Sequence, residues 1–92
     1  MNKSDLVKRV EEDLKTLSHR DVEVIVNAIF DSMTDSLAKG DRIEIRGFGS
    51  FEVRVRQPRR GRNPKTGKSV NVGVRRVPFF KVGKELKERV DK

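Results

Sequence analysis

From Val53 to Lys84 the chain carries eleven basic residues and not one acidic residue. Within that run, Gln57 to Lys68 contains no large apolar side chain, so this stretch buries nothing of its own. A solvated protein surface ordinarily mixes both signs of charge, whereas a block of one sign favours a polyanionic partner. The rest of the chain has a different balance. Residues 1–41 hold six Lys and Arg against nine Asp and Glu, a balance of −3, while residues 42–92 hold sixteen against five, a balance of +11. The two halves therefore do different work.

The acid-free block is flanked by strand patterns. Phe51, Val53 and Val55 alternate with Glu52, Arg54 and Arg56, and alternation returns at Val70, Val72 and Val74. With a polar, turn-rich tip between them, the two segments predict a two-stranded arm over 57–74. About nine residues per side at ~3.3 Å each give a reach of ~30 Å, close to one ~34 Å turn of B-DNA. An isolated ribbon is marginal in water, so such an arm is expected to order on its ligand. The alternation changes parity at Val77 and Phe79, which predicts a bulge or bend where the arm rejoins the body.

Ahead of the arm, Ile43 and Ile45 lie on one face of a strand, and with the turn that follows and the alternating Phe51, Val53 and Val55 they predict an antiparallel hairpin. Gly47 and Gly49 in Arg46-Gly47-Phe48-Gly49 supply positive φ or close backbone approach at its turn. Two helices precede it. Leu6, Val7, Val10, Leu14 and Leu17 recur at helical spacing, with Asn2 and Asp5 as a capping pair, predicting a helix over about Lys3 to Lys15. Ser18 and Asp21 repeat the cap signal before Val22, Ile25, Val26, Ile29, Phe30, Met33 and Leu37, a broad apolar stripe that runs to Gly40. The first helix covers only part of that stripe. Val82, Leu86 and Val90 mark a short C-terminal helix behind Gly83.

The whole reads as one α+β domain over 1–92: a helical base (1–40), a β body (41–56 and 75–81), the arm (57–74) and a C-terminal helix (82–92). Without the arm, about 74 residues remain to build a core, and bodies of this size commonly need a staple. Cysteine is absent and there is a single histidine, so neither a disulfide nor a thiolate metal site is available, and no cofactor or metal is expected. Oligomerisation is the remaining route, and a dimer through the second helix and the outer sheet is expected.

The arm tip reads Arg59-Arg60-Gly61-Arg62-Asn63-Pro64-Lys65-Thr66-Gly67-Lys68. Arginine offers a planar fork of donors, Asn63 both donor and acceptor, and Pro64 a rigid apolar wedge with no N–H to desolvate. A wedge flanked by cations fits the minor groove of duplex DNA, where an apolar side chain can enter a base step and kink the helix.

Other chemistries fit less well. Gly67-Lys68-Ser69 ends like a phosphate-binding loop, but the preceding glycine, Gly61, is one residue too far back and a strand follows where a helix is required. His19 sits beside a helix cap, far from the arm, and Glu11, Glu12 and Asp13 are consecutive and so diverge around their helix. No enzyme activity and no small-molecule substrate are expected. A basic RNA-binding module stays open as an alternative, weakened by the lack of Tyr and Trp for base stacking. The longest aliphatic run, Val24 to Val26, is far below the ~18 residues of a membrane span, and the N-terminus lacks a signal-peptide core. A cytoplasmic chain with no membrane partner is expected.

Three motifs carry a resemblance: Arg46-Gly47-Phe48-Gly49-Ser50-Phe51, Gly61-Arg62-Asn63-Pro64-Lys65-Thr66-Gly67 and Pro78-Phe79-Phe80-Lys81-Val82-Gly83-Lys84-Glu85-Leu86. In this order and spacing they resemble the bacterial HU and integration host factor family over nearly the whole chain. Arg42 to Arg46 and Val77 to Phe80 look most similar to the beta branch of integration host factor. The resemblance implies an intertwined dimer with a helical base, an antiparallel β saddle and protruding β-ribbon arms that wrap the minor groove and bend DNA. It implies roles in recombination, transcription and translation regulation, and nucleoid organisation, with the less sequence-specific HU type as the alternative.

The partners expected are double-stranded DNA and a second subunit, identical or related. Arg46, Arg54, Arg56, Arg59, Arg60, Arg62, Asn63, Pro64, Lys65, Lys68, Arg75, Arg76, Lys81 and Lys84 are the expected DNA-binding residues, with Pro64 as the intercalating wedge. Val22, Ile25, Val26, Ile29, Phe30, Met33, Phe48, Phe51 and Phe79 are the expected dimer interface.

Overall fold

The computed structural model describes residues 1–57, 59–62 and 69–92, with 59–62 and 69–72 described by their backbone. The elements are α1 (Lys3–Asp13), α2 (His19–Ala38), β1 (Ile43–Ile45), β2 (Gly49–Arg56), β3 (Arg59–Arg62), β4 (Ser69–Val72), β5 (Arg75–Val82) and α3 (Lys84–Val90). They group into two compact units, Met1–Asp35 and Ser36–Lys92.

In the first unit the caps form as the sequence dictates. Asn2 Oδ1 accepts the Asp5 backbone N–H at 2.9 Å and the Asp5 carboxylate accepts the Asn2 N–H at 3.0 Å, a reciprocal capping box that satisfies two helix-end donors. At the start of α2, Ser18 Oγ accepts the Asp21 N–H at 3.1 Å. Helix α1 stops at Asp13, two residues before the expected end. The backbone leaves the helical region at Leu14, and the Leu17 N–H turns back to the Leu14 carbonyl at 3.1 Å.

Val7, Val22 and Val26 form the buried core of this unit, with Leu6, Val10 and Leu17 packed around them. This corrects the expected interface. Val22 and Val26 are 0% and 4% exposed within their own chain, so they face α1 and have no surface to offer a partner. The neighbouring row of α2 is the one left open, with Ile25, Ile29 and Phe30 exposed and Met33 half-buried.

In the second unit β1, β2 and β5 form an antiparallel sheet in that order. Pro78 lies in β5, at the sheet edge, where a missing N–H does not interrupt an inner ladder. The β1–β2 turn needs its glycines. Gly47 has φ +82°, and a Cβ on Gly49 would stand 2.5 Å from the Lys81 carbonyl oxygen and 2.6 Å from the Phe80 ring. The turn is tied to the end of β5 by the Gly83 N–H, which donates to the Phe48 carbonyl at 2.9 Å. Helix α3 follows directly behind Gly83.

Among the described residues the β2–β5 ladder carries no bulge, and pairing is interrupted where the arm joins the body, so that β3 and β4 form a separate two-stranded sheet. The β2–β5 pairing runs unbroken from Gly49↔Val82 to Arg56↔Arg75, and β3–β4 pairing starts at Arg59↔Val72. The parity change has another source. Strand β5 is apolar on both faces, with Val77 and Phe79 on one and Pro78, Phe80 and Val82 on the other.

Candidate nucleic-acid interface

Residues directly opposite in an antiparallel pair share a face, so the register assigns every side chain of the sheet. One face carries Ile43, Ile45, Phe51, Val53, Val55, Phe80 and Val82. The Phe80 ring packs against Phe51 and Phe48 at centroid distances of 4.7 and 5.5 Å, both tilted. Phe48, Val55, Phe80 and Val82 remain exposed, which makes an uncovered apolar surface on a small unit.

The opposite face is cationic. Arg54 and Arg56 of β2 and Arg75 and Lys81 of β5 all fall on it. Arg56 and Arg75 are direct cross-strand partners, an arrangement that costs stability through like-charge repulsion unless an anion lies over it. Arg54 lies flat on Phe79, its guanidinium carbon 3.4 Å from the ring centroid, and its Nε donates to Glu52 Oε1 at 3.1 Å. At the β1–β2 turn end of the sheet a groove is lined by Arg42, Glu44, Arg46, Ser50 and Lys81 together with Ile45 and Val82. There the buried Ser50 hydroxyl lies 3.4 Å from Arg42 Nη2. Lys84 is exposed at the first position of α3.

Two expected residues move. Phe79 leaves the apolar face, because it pairs with Glu52 whereas Phe80 pairs with Phe51; it lies under Arg54 among the cations, and Phe80 takes its expected place beside Phe48 and Phe51. Arg76 leaves the cationic row, because it pairs with Val55; its Nη2 approaches to 2.9 Å from where a Cβ on Gly40 would stand. Arg59, Arg60 and Arg62 are placed by the β3–β4 register, opposite Val72, Asn71 and Ser69. Asn63, Pro64, Lys65 and Lys68 lie outside the described residues. The sequence reading missed Arg42, Glu52 and Phe80. Glu52 had a signal, as the last acid before the acid-free run.

The only histidine joins the two helices rather than any site. His19 Nδ1 is 2.8 Å from Glu11 Oε2 of α1, and Nε2 is 3.8 Å from Glu23 Oε2 one turn along α2. The hydrogen bond to the Glu11 carboxylate, reinforced by its charge, raises the His19 pKa above 6.5. Among the described residues no group of three or more His, Cys, Asp and Glu side chains is placed to hold a metal ion.

The family model for bacterial DNA-binding protein matches residues 1–91. Integration host factor subunit beta from two strains of Haemophilus influenzae, PittEE and 86-028NP, is 53% identical over 91 residues, covering 99% of this chain and 97% of each relative. An Anabaena HU–DNA cocrystal structure matches with a TM-score of 0.90 at 37% identity, over 98% of this chain and 97% of that one. HU from Thermotoga maritima matches with a TM-score of 0.68 at 37% identity, over 98% of both chains. The α+β arrangement is thus that of these proteins, and the chain belongs to the bacterial DNA-binding protein family.

Proposed function

We propose that the protein is an architectural DNA-binding protein that grips duplex DNA as a dimer and bends it sharply. The observation that carries this reading is the cationic face of the sheet, where Arg56 and Arg75 stand directly opposite each other with Arg54 and Lys81 alongside. A strand surface on which Arg56 and Arg75 are held opposite each other rather than opposite an acid matches a phosphate backbone in charge and in reach. An enzymatic role finds no support in the family. In this proposal the arms follow the minor groove from the two ends of that face, Arg60, Arg62, Asn63 and Lys65 line it, and Pro64 enters a base step.

The apolar surfaces support the second subunit. Ile25, Ile29 and Phe30 on α2 and Phe48, Phe80 and Val82 on the sheet are too extensive an uncovered set for a lone chain of this size. The partner is a second copy or a related subunit, the latter favoured by relatives that are themselves named as a beta subunit. Sequence preference then follows from DNA deformability and groove width, because the minor groove distinguishes little beyond A·T from G·C. Roles in recombination, transcription and translation regulation, and nucleoid organisation within the cytoplasm are the processes that a DNA-bending protein of this family serves in this proposal.

End-to-end fluorescence transfer on a duplex of about 35 base pairs tests it, a length chosen to exceed the 20–30 base pairs of a typical bent site. Saturation with protein raises transfer strongly, and Pro64→Ala returns it most of the way to that of free DNA. A duplex that stays straight under saturating protein contradicts the proposal.

A further inference from the structure

We propose that Glu52 is a built-in competitor for the DNA backbone: it neutralises Arg54 on the cationic face in the free protein and so limits both the affinity for DNA and its dependence on salt. This rests on the DNA-binding reading of that face.

The geometry is set by the ladder. Glu52 and Phe79 are direct partners across β2 and β5, and Arg54 is the next residue along β2 on the same face. Its side chain folds back over this pair, with Nε donating to Glu52 Oε1 at 3.1 Å and the guanidinium 3.4 Å from the Phe79 centroid. The ring and the carboxylate act together. Stacking removes water from one side of the guanidinium, which strengthens its attraction to an adjacent carboxylate relative to a freely solvated pair. The Glu52 side chain is itself only 33% exposed. Arg56, two residues further along, has Arg75 as its cross-strand partner instead of an acid. On the β2 and β5 part of this face, Arg54 is therefore the cation that already has an anion.

A phosphate that approaches Arg54 meets Glu52 first. Either the pair opens and the freed carboxylate takes up a cation from solution, or the phosphate binds beside an intact carboxylate and is repelled by it. In the first case the cation taken up offsets one counterion released from the DNA, so the salt dependence is shallower than the number of phosphate contacts implies. In the second case the contact itself is weak. Both routes give the same signs.

The test is equilibrium binding of the full-length protein to one fluorescent duplex across a salt series, with Glu52→Gln compared with Glu88→Gln. Glu88 lies on α3 and its substitution makes the same change in net charge. Glu52→Gln is expected to tighten binding on the order of tenfold at low salt and to steepen the log–log salt slope by ~0.9 per copy, or about 2 for a dimer. Glu88→Gln leaves the slope unchanged. Adding Arg54→Gln to Glu52→Gln abolishes the gain, and Phe79→Leu, which removes the stacking surface, moves the slope part of the way. Weaker binding by Glu52→Gln, or a slope equal to that of Glu88→Gln, overturns the inference while the DNA-binding reading stands. Failure of the unmodified protein to bind the duplex overturns that reading and the inference with it.

Discussion

The helical unit and the sheet unit distribute their charges differently. In Met1–Asp35 the polar groups at the helix starts and the histidine find partners nearby, and acids stand among the bases: Asn2 and Asp5 cap each other, Ser18 caps the backbone of Asp21, Arg9 lies 3.9 Å from Glu12, and His19 reaches Glu11 and Glu23. In Ser36–Lys92 the ion pair among the described residues is Glu52 with Arg54, while Arg56 and Arg75 face each other across the ladder. The contrast teaches where the ligand belongs. A surface on which acids are interspersed with bases has little to gain from a polyanion, whereas one whose like charges are held together stores repulsion that a polyanion relieves.

Both units do share one trait, an apolar surface with nothing on it, and the largest expected effect tests that. Phe51→Ala removes the aromatic centre that contacts Phe80 and lies on the apolar sheet face, and is expected to destabilise the protein by ~3 kcal/mol. Chemical denaturation at several protein concentrations checks it. A concentration-dependent midpoint marks a coupled dimer, and a concentration-independent monomer in sedimentation contradicts the proposed assembly.

The next effect separates the units by charge. Arg56→Gln is expected to weaken duplex binding about tenfold and to reduce the salt slope by ~0.9 per copy. Because it also relieves the repulsion with Arg75, the same substitution leaves folding stability unchanged or raises it by a few tenths of a kcal/mol. A loss of stability without a loss of binding would reverse the assignment of this face.

The smallest effect belongs to the helical unit. His19 has its pKa raised in the folded state, so the stability it contributes is fully present below about pH 6.5 and is lost as pH rises through the higher folded value. An NMR titration is expected to place the His19 midpoint above 6.5, and Glu11→Gln to bring it down. DNA binding at constant salt should barely follow that titration, since the charge lies among carboxylates on the two helices.

Local chemistry explains what was legible in the sequence. Asn2 with Asp5, Ser18 with Asp21 and Gly47 with Gly49 each act within a few residues, and each forms as its pattern predicts. Of the arm strands, β4 was legible as alternation at Val70 and Val72, whereas β3 falls within the stretch read as a polar tip and shows itself only through its pairing with β4. What the pattern left open is which of two available rows or faces a partner element takes. The stripe on α2 is wide enough to serve α1 and another surface, and only packing shows that Val22 and Val26 go to α1 while Ile25 and Ile29 do not. Phe79 and Phe80 are adjacent and chemically identical, so their opposite fates are decided by register with β2, a contact far away in sequence. Arg75 and Arg76 part company in the same way.

Equilibrium binding to a duplex across salt concentrations reads out the role of the cationic face itself. If the cationic face and the arms of a dimer together engage about ten phosphates, log K falls with log salt at a slope near −9, and replacing both Arg56 and Arg75 by Gln makes it shallower by roughly 3 to 4 for the dimer. A slope near zero, or one that the double substitution leaves untouched, would contradict the account.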